Sequence, residues 1–598
     1  MNETHTLEID GRFLYYAFLA GGRKILQNQV EINRINVFPV ADKDTGTNLA
    51  STIRSVIDNI KPHKSYKTTV NNIAEAAMMG ARGNSGVIFA QFLYGISQET
   101  INKSVISLAE FADSIKNSIP YIYEAVANPM EGTMLTVIKD WSDYIFSRKS
   151  IIHDFKRVLI ESFEIIEKSL IETKSKLAVL KQFNFVDAGA KGFVLFIEGI
   201  IEFVRSHSIR KFAVQPTEAI MMIHSEVHAG ADINFRFCAE AILQNVKIDK
   251  NELKGILLKY GDSGVVAGSK TLCRIHVHTN QLAELFNELK DYGTITFQKV
   301  DDMVRQNEAS SKKKWNIALV TDSTCDLSQE LIDNYQINVV PINLNFGDNH
   351  YLDKVTIKPE QFYGLLASSP DFPKTSQINE RTFTNLYSHL ASHYDAVISL
   401  HLSGQFSGTF QNSVKAAKKI SEEFKKPIIT IDSKNLSGAL GLIVLRTAQA
   451  IEAGWSVSEI EEGIKSWIVN SNIFVTVKTL KYLVKGGRVS KQKGFIANLL
   501  GVRPIVSMDK NGKSLLIGKT FSQESNINKV MKHVEILGNT KPIRDYIVLH
   551  AQNPAGADIY IEKMLKLTGK QPVSVVDISP VIGMNAGVGA IAVSLMLE

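Results

Sequence analysis

Hydrophobic spacing changes its period twice along this chain, and each change calls for a separate core. Up to about residue 208 the apolar positions recur at helical intervals: Ile9, Phe13, Tyr16 and Ala20; Val70, Ile73, Ala74 and Ala77; Phe155, Val158, Leu159, Phe163, Ile166 and Leu170. This region is expected to be all-α. Between residues 209 and 309 the pattern is mixed. Phe235–Glu240 reads as a strand entering a helix, and Thr271–Thr279 alternates as a strand does. From Asn316 onward, short apolar runs (Ile317–Val320, Val339–Leu344, Ala396–Leu400 and Ile428–Ile431) are separated by helical segments. That is the pattern of a doubly wound α/β sheet. Glu308–Trp315 is small, polar and basic, and reads as a linker. The expected organisation is a helical domain (1–208), a small α+β domain (209–309), a linker (310–315) and an α/β domain (316–598). A chain of 598 residues is in any case too long for one core.

Composition excludes several classes. Apolar residues make up 44% and charged residues 21%, and the net charge of +6 is spread thinly, so no nucleic-acid partner is expected. Three cysteines make no disulfide framework and fit a reducing compartment. Met1–Asp10 has no apolar signal-like core. The apolar run Gly192–Val204 is interrupted by Glu198 and Glu202 and is too short to span a bilayer. A soluble cytoplasmic protein is expected, free to make transient contact with a membrane surface.

Four loops in the first region carry chemistry. Asn36–Asn48 places Asp42 and Asp44 two residues apart in a Gly- and Thr-containing turn before a helix start. Paired carboxylates with nearby amide and hydroxyl oxygens suit a hard cation such as Mg2+. An acidic turn capping a helix fits equally well from spacing alone. Gly80–Gly86 (G-A-R-G-N-S-G) opens onto an apolar helix, where backbone N–H groups and the helix dipole favour an anion. Pro129–Thr133 and Val186–Gly192 are two further Gly-containing loops at helix ends. All four could meet at one end of a helical bundle.

The motifs N-V-F-P-V-x-D-x-D-T-G-T-N, A-R-G-N-S-G, E-G-T-M-L-T-V and V-D-A-G-x-x-G, in this order, resemble the DhaL-like nucleotide-binding domain. That domain occurs in dihydroxyacetone kinases and in the kinase subunit of bacterial fatty-acid kinase, and N-V-F-P-V is closer to the latter. The resemblance implies a barrel of antiparallel helices with ATP and two Mg2+ at one end. Asp42 and Asp44 would be metal ligands with Asn36 nearby. Gly83, Asn84 and Ser85 would contact phosphate, and Thr47, Asn48, Thr133 and Asp187 would surround the nucleotide. Two departures stand out. Lys43 separates the acids where the family has glycine, and either neutralises phosphate or crowds the metal. Gly189-Ala190 replaces a Gly-Gly pair.

In the second region, alternation puts Arg274, His276 and His278 on one strand face and Cys273 on the other. Two such histidines can share a metal, and a thiolate from Cys238 would complete a zinc-like set. A pair of polar-face histidines is the plainer reading of the spacing. C-x-E, Gly261-Asp-Ser263 and H-V-H-T resemble the middle domain of the fatty-acid kinase subunit, in which a cysteine and the H-x-H pair bind zinc. Cys238, His276 and His278 would then hold Zn2+, with His224 and His228 as candidates for a fourth ligand.

In the third region the strand ends carry hydroxyls: Thr321–Thr324, Thr375–Gln377 and Ser403–Thr409. Ligands bind at the carboxyl ends of strands in such sheets. Ser407-Gly408 opens a helix, without a G-x-S-x-G elbow, so carboxylate binding fits better than acyl hydrolysis. Arg488 of Gly486-Gly-Arg could pair with the anion. T-D-S-T-x-D-L, T-S-Q, F-S-G-T-F, Y-L-V-K-G-G-R and P-V-I-G resemble the DegV family across residues 316–598. Its members bind one long-chain fatty acid in an apolar tunnel. Thr375 and Ser407 would hold the carboxylate with Arg488 close by. Asn585 stands where the family has histidine.

Joined, the resemblances imply a self-contained fatty-acid kinase. ATP with Mg2+ would phosphorylate the carboxylate of a fatty acid held by the same chain, giving acyl phosphate for acyltransferases of phospholipid synthesis. Asp42, Asp44 and Arg488 would carry the chemistry, within one chain or between chains of a homodimer. The alternatives are a dihydroxyacetone-type kinase and a non-catalytic lipid carrier or sensor.

Overall fold

A computed structural model describes residues 6–38, 44–206, 233–487 and 502–598. Asp42, Lys43, His224, His228 and Arg488 lie outside them. The chain divides into two compact units, one of residues 1–281 with 289–307, the other of 282–288 with 308–598.

The first unit begins with helices α1 (Gly11–Gln27), α2 (Gln29–Arg34), α3 (Thr45–Asn59), α4 (Tyr66–Gly80), α5 (Gly83–Glu99), α6 (Leu108–Ala125), α7 (Met134–Arg148), α8 (Phe155–Lys176), α9 (Ala178–Phe183) and α10 (Ala188–Ser206) around one apolar core. Their ends are set by side-chain caps. Asp10 accepts the Phe13 N–H, Ser107 and Glu110 form a capping box, and Asp154 accepts from Lys156. The region is helical but not purely so: β1 (Glu8–Asp10) pairs with β2 (Val105–Ser107). Ile9 therefore sits in a strand opposite Ile106, and the helix starts after the Asp10 cap. Helices α1 and α10 touch through glycine. A Cβ on Gly199 would lie 2.4 Å from the Ala20 carbonyl oxygen, so only glycine permits this spacing. Phe196 of α10 then packs edge-to-face on Phe18 and Phe89.

An antiparallel sheet completes this unit, in the order β4 (Gly261–Gly268), β5 (Leu272–Thr279), β3 (Phe237–Gln244), β6 (Thr294–Asp302). The expected passage from strand to helix after Cys238 does not occur. Strand β3 is paired on both sides along its length, and its backbone groups stay in the ladder to Gln244. Helix α11 (Lys250–Tyr260) follows, opened by an Asp249–Glu252 capping box. Cys238 faces His278 across the ladder and Glu240 faces His276, so the histidine face expected of β5 is real. The sheet is tied to the helices. Gln91 Oε1 accepts the Gly268 N–H at 2.7 Å, and the Gly264 carbonyl accepts the Ala127 N–H at 2.9 Å. Helix α12 (Met303–Ser311) runs into the stretch expected as linker, shortening it to the lysines beyond Ser311.

Among the described residues, the second unit contains three sheets. Strands β7 (Ile317–Asp322), β8 (Asn338–Val340), β12 (Ala396–His401) and β13 (Ile428–Asp432) form a parallel sheet ordered β13-β12-β7-β8. The run Val339–Leu344 is two strands, not one. Pro341 lacks an N–H for the ladder, and beyond it β9 (Asn343–Phe346) joins β10 (Asn349–Leu352) and β11 (Lys374–Ser376) in a separate sheet. A third, mixed sheet of six strands was not foreseen. It runs β16 (Ser514–Thr520), β15 (Arg503–Met508), β14 (Ser471–Thr476), β19 (Ile591–Leu597), β17 (Ile543–His550), β18 (Ser574–Asp577). Helix α13 (Thr409–Phe424) follows β12, and the buried α14 (Ser437–Glu452) packs on strands of both larger sheets. Helix α15 (Pro580–Ala586) carries Asn585.

Candidate functional site

The Gly-containing loops do meet. A Cβ on Gly189 would touch the Ser85 hydroxyl at 3.0 Å and both Met134 and Asp187 at 3.4 Å, which joins the starts of α5, α7 and α10. Gly83 has φ +56°, and a Cβ there would lie 2.1 Å from Asn48 Nδ2, so the turn into α5 is closed against α3 by glycine alone. Between these helix ends and the sheet lies a cleft lined by Asn36, Asp44, Thr45, Asn48, Gly83, Asn84, Ser85, Cys238, His276 and His278.

One feature of the helical wall, the Asn84 side-chain oxygen, points to a ligand. Asp44 immediately precedes α3, yet its side chain makes no capping bond, which removes the plain helix-cap account of this acid. The Asn84 Oδ1 is buried and has no hydrogen-bond partner. Asn36 is held by the Thr45 hydroxyl at 2.9 Å. Thr47 is occupied elsewhere: its hydroxyl accepts from Gln29 and Asn33 at 3.1 and 3.0 Å and does not line the cleft. Asp187 does not line it either. Its carboxylate accepts the Ala190 N–H at 2.8 Å, with the Gly189 and Met134 amides also contributing. Burial nevertheless raises its pKa to about 6. Thr133 donates to the Met130 carbonyl at 2.8 Å. These three residues brace the loops around the cleft.

The sheet wall brings together the three soft donors. One donor atom from each of Cys238, His276 and His278 lies within 4.8 Å of the others, with Cys238 Sγ 3.8 Å from His276 Nδ1. The His276 Nε2 is buried without a partner, and burial, with His278 beside it, lowers its pKa to about 3. A neutral imidazole is the form a metal takes. Asp262 stands 3.6 Å from His278 Nδ1, the kind of carboxylate that orients a ligating ring. Among the described residues, these three donors fit the sulfur and nitrogen set that Zn2+ takes. Behind them Glu240 and Arg274, both almost fully buried, pair at 2.6 Å. Burial would raise the Glu240 pKa, but the charges of Arg274 and Lys299 outweigh it and hold it at about 2. The sequence singled out Glu240 only as the acid of the C-x-E motif and gave it no role, although alternation places it on the face of Cys238.

In the second unit, Gln377 packs so tightly on Gly408 that a Cβ there would lie 1.9 Å from its Oε1. This joins the loops of Thr375 and Ser407. The Ser407 and Thr409 hydroxyls are 2.8 Å apart. His401, just upstream, is committed to Asp322 at 3.2 Å and Ser399 at 2.8 Å. Among the described residues, no hydrolytic triad forms at Ser407. Asn585 lies against Gly486, with its Oδ1 buried and unpartnered and its Nδ2 on the Val581 carbonyl at 3.2 Å.

Comparison with known families gives three matches along the chain. Residues 39–202 match the DAK2 domain, 234–310 the FakA-like middle domain of fatty acid kinase, and 316–598 the DegV family of uncharacterised proteins. The chain is a fusion of these three domains. The first two are of kinase type, a class that uses nucleotide and divalent metal. Among curated relatives, Protein YloV of Bacillus subtilis is 30% identical over 312 residues, 50% of this chain and 56% of that protein. An uncharacterized protein of Staphylococcus epidermidis is 29% identical over 317 residues, 51% of this chain and 57% of that one. The match thus spans little more than half the length of these relatives. Among solved structures, a fatty-acid-binding DegV family protein of Thermus thermophilus is 25% identical and is covered completely by 47% of this chain, with a TM-score of 0.43. DegV of Bacillus subtilis, described as a fatty acid binding protein, is 27% identical and is covered completely by 48% of this chain, also with a TM-score of 0.43. Among the described residues of the fusion, no helix is long and apolar enough to cross a membrane.

Proposed function

We propose that this fusion protein is a self-contained fatty-acid kinase. The observation that carries the proposal is the shared cleft, in which Asp44, Asn84 and Ser85 of the DAK2 domain face Cys238, His276 and His278 of the middle domain. Asp44, with Asp42, would hold Mg2+, and Asn84 and Ser85 at the start of α5 would receive the ATP phosphates. Cys238, His276 and His278 would hold Zn2+. Bound there, these cations would offset charge on the phosphoryl group. The acceptor is a fatty acid whose carboxylate is held by Thr375 and Ser407 of the DegV domain, with Arg488 supplying positive charge.

The chemistry needs no general base. A carboxylate is already anionic near neutral pH, with a reference pKa of about 4 to 5. One carboxylate oxygen forms a bond to the γ-phosphorus as the bond to the β-bridging oxygen breaks, and ADP leaves. The task for the protein is to bring two anions together, by fixed N–H donors and cations. Tethering acceptor and kinase would hold the acceptor at roughly millimolar effective concentration. The product, an acyl phosphate, would pass to acyltransferases.

Incubation of the full chain with Mg-ATP and oleate, with hydroxylamine as trap, should yield oleoyl hydroxamate. Asp44→Ala should abolish it and leave oleate binding intact. No hydroxamate from protein shown to bind both nucleotide and oleate would refute the proposal.

A further inference from the structure

Gly83 sits where a phosphate-binding loop would offer its first N–H, yet that N–H is already taken. It donates to Glu240 Oε1 at 2.6 Å, reaching from the DAK2 domain to the middle of strand β3. The other carboxylate oxygen receives Arg274 Nη2 at 2.6 Å. A second guanidinium nitrogen, Nη1, donates to the Met78 and Met79 carbonyls at 3.3 and 3.2 Å, in the last turn of α4, while Nε is buried without a partner. One buried acid and one buried base therefore grip both ends of the turn between α4 and α5. This is the turn that carries Asn84 and Ser85 into the cleft. The Arg82 side chain gives α5 no cap, so Glu240 supplies from another domain what a local capping residue normally supplies. The backbone needs such a hold, because Gly83 at φ +56° lies in a region where glycine gains nothing over its other conformations.

We infer that Glu240 is the positioning residue of the nucleotide loop. Through Gly83 it sets the loop geometry, and through Arg274 it ties that geometry to the sheet that bears Cys238, His276 and His278. The phosphate contacts then fall to Asn84, Ser85 and the following amides, and not to the Gly83 N–H. The middle domain serves as a strut for the DAK2 site as well as a source of metal ligands. This inference rests on the cleft being the nucleotide site.

The test uses the full chain and two variants. Glu240→Gln preserves volume and an acceptor but breaks the charge pair, and Glu240→Ala removes the hold entirely. Losing a charge-assisted hydrogen bond should speed amide exchange over residues 81–87 by about tenfold or more, while the rest of the helical domain exchanges as before. Binding of Mg-AMPPNP should weaken at least about fivefold, with oleate affinity and zinc content per chain unchanged. Unchanged exchange at residues 81–87 in both variants would overturn the inference. So would a rise spread evenly over all the helices, which would mean general destabilisation, or tighter nucleotide binding, which would mean that Glu240 opposes phosphate by charge. If the wild-type chain binds no nucleotide, the proposed function falls, while the exchange measurement still decides whether Glu240 holds the loop.

Discussion

Replacing Asp353 with asparagine isolates the ionisation of one carboxyl at the centre of the DegV domain. Asp353 is 0% exposed and accepts from the Ser323 hydroxyl at 2.6 Å and the Val581 N–H at 3.2 Å. Its neighbour Lys354 is paired with Asp326 at 2.6 Å, so the one lysine is shared between two buried acids. Asp326 also accepts from the Ser437 hydroxyl and from the Ser579 N–H. Asp353 is the acid left without a full countercharge. Burial, only partly opposed by Lys354, lifts its pKa from 3.8 to about 7. The folded domain therefore keeps this proton up to about pH 7, whereas the unfolded chain releases it near 3.8. The contribution to stability is complete below the unfolded value and is lost as pH rises through the folded one. About three pH units at about 1.4 kcal/mol each make it on the order of 4 kcal/mol.

The amide side chain cannot ionise, so the slope should vanish in Asp353→Asn. Three of the 4 tryptophans, Trp315, Trp455 and Trp467, lie in or beside the DegV domain and report its unfolding by intrinsic fluorescence. At pH 5 the parent has already lost about 1.6 kcal/mol of this contribution, so the variant should unfold only a few degrees above it. By pH 8 the variant should be the more stable, by roughly 10 °C at about 2–4 °C per kcal/mol for a domain of this size. An offset that is the same at both pH values would refute the reasoning, since it would show that Asp353 is ionised throughout or that its bonds, not its proton, matter.

Three further perturbations have defined outcomes. Gly199→Ala forces a methyl group against the Ala20 carbonyl oxygen at 2.4 Å and Gly21 Cα at 2.8 Å, and should destabilise the helical domain by about 3 kcal/mol, read by circular dichroism; an unchanged melt would contradict the close packing of α1 and α10. Asn585→His restores a titratable donor beside Gly486 and should tighten oleate binding severalfold in competition with a fluorescent fatty acid, whereas no change would place the carboxylate elsewhere. Cys238→Ser should lower zinc retained after dialysis by at least about tenfold, measured by elemental analysis, and full retention would remove Cys238 from the donor set.

Much of this architecture was legible because period and register are local properties. Strand β5 is the clearest case: alternation placed Arg274, His276 and His278 on one face, and the ladder bears that out. The meeting of the Gly-containing loops lay beyond periodicity, since it depends on how α3, α5, α7 and α10 pack. Thr47 shows the limit from the other side. Its neighbour Thr45 faces the cleft, whereas its own hydroxyl turns to α2, and two helical steps of about 100° each separate the two outcomes. The role of Glu240, the acid of the C-x-E motif, was hidden for a different reason. Its partners Gly83 and Arg274 lie 157 and 34 residues away in sequence, beyond any local pattern. The six-stranded sheet escaped notice because β15 and β16 are only partly buried, and their hydrophobic alternation is correspondingly weak.

The two walls of the cleft differ in chemical hardness, and this bears on how two cations could work side by side. Asp44 and Asn36 offer oxygen, which suits Mg2+, while Cys238, His276 and His278 offer sulfur and nitrogen, which suit Zn2+. Under the proposed function, each ion would be directed to its own wall by ligand type, without any need for different affinities at identical sites. The walls come from different domains, so their separation is set by whatever joins the domains at that point. The bond from Gly83 to Glu240 crosses between the walls beside the cleft. A loop held by that bond cannot shift without moving relative to the sheet, and the spacing between the two donor sets shifts with it. Phosphoryl transfer is sensitive to such spacing, because its catalysis rests on positioning and charge more than on proton transfer. The domain junction, and not either domain alone, would then determine whether the cleft is competent.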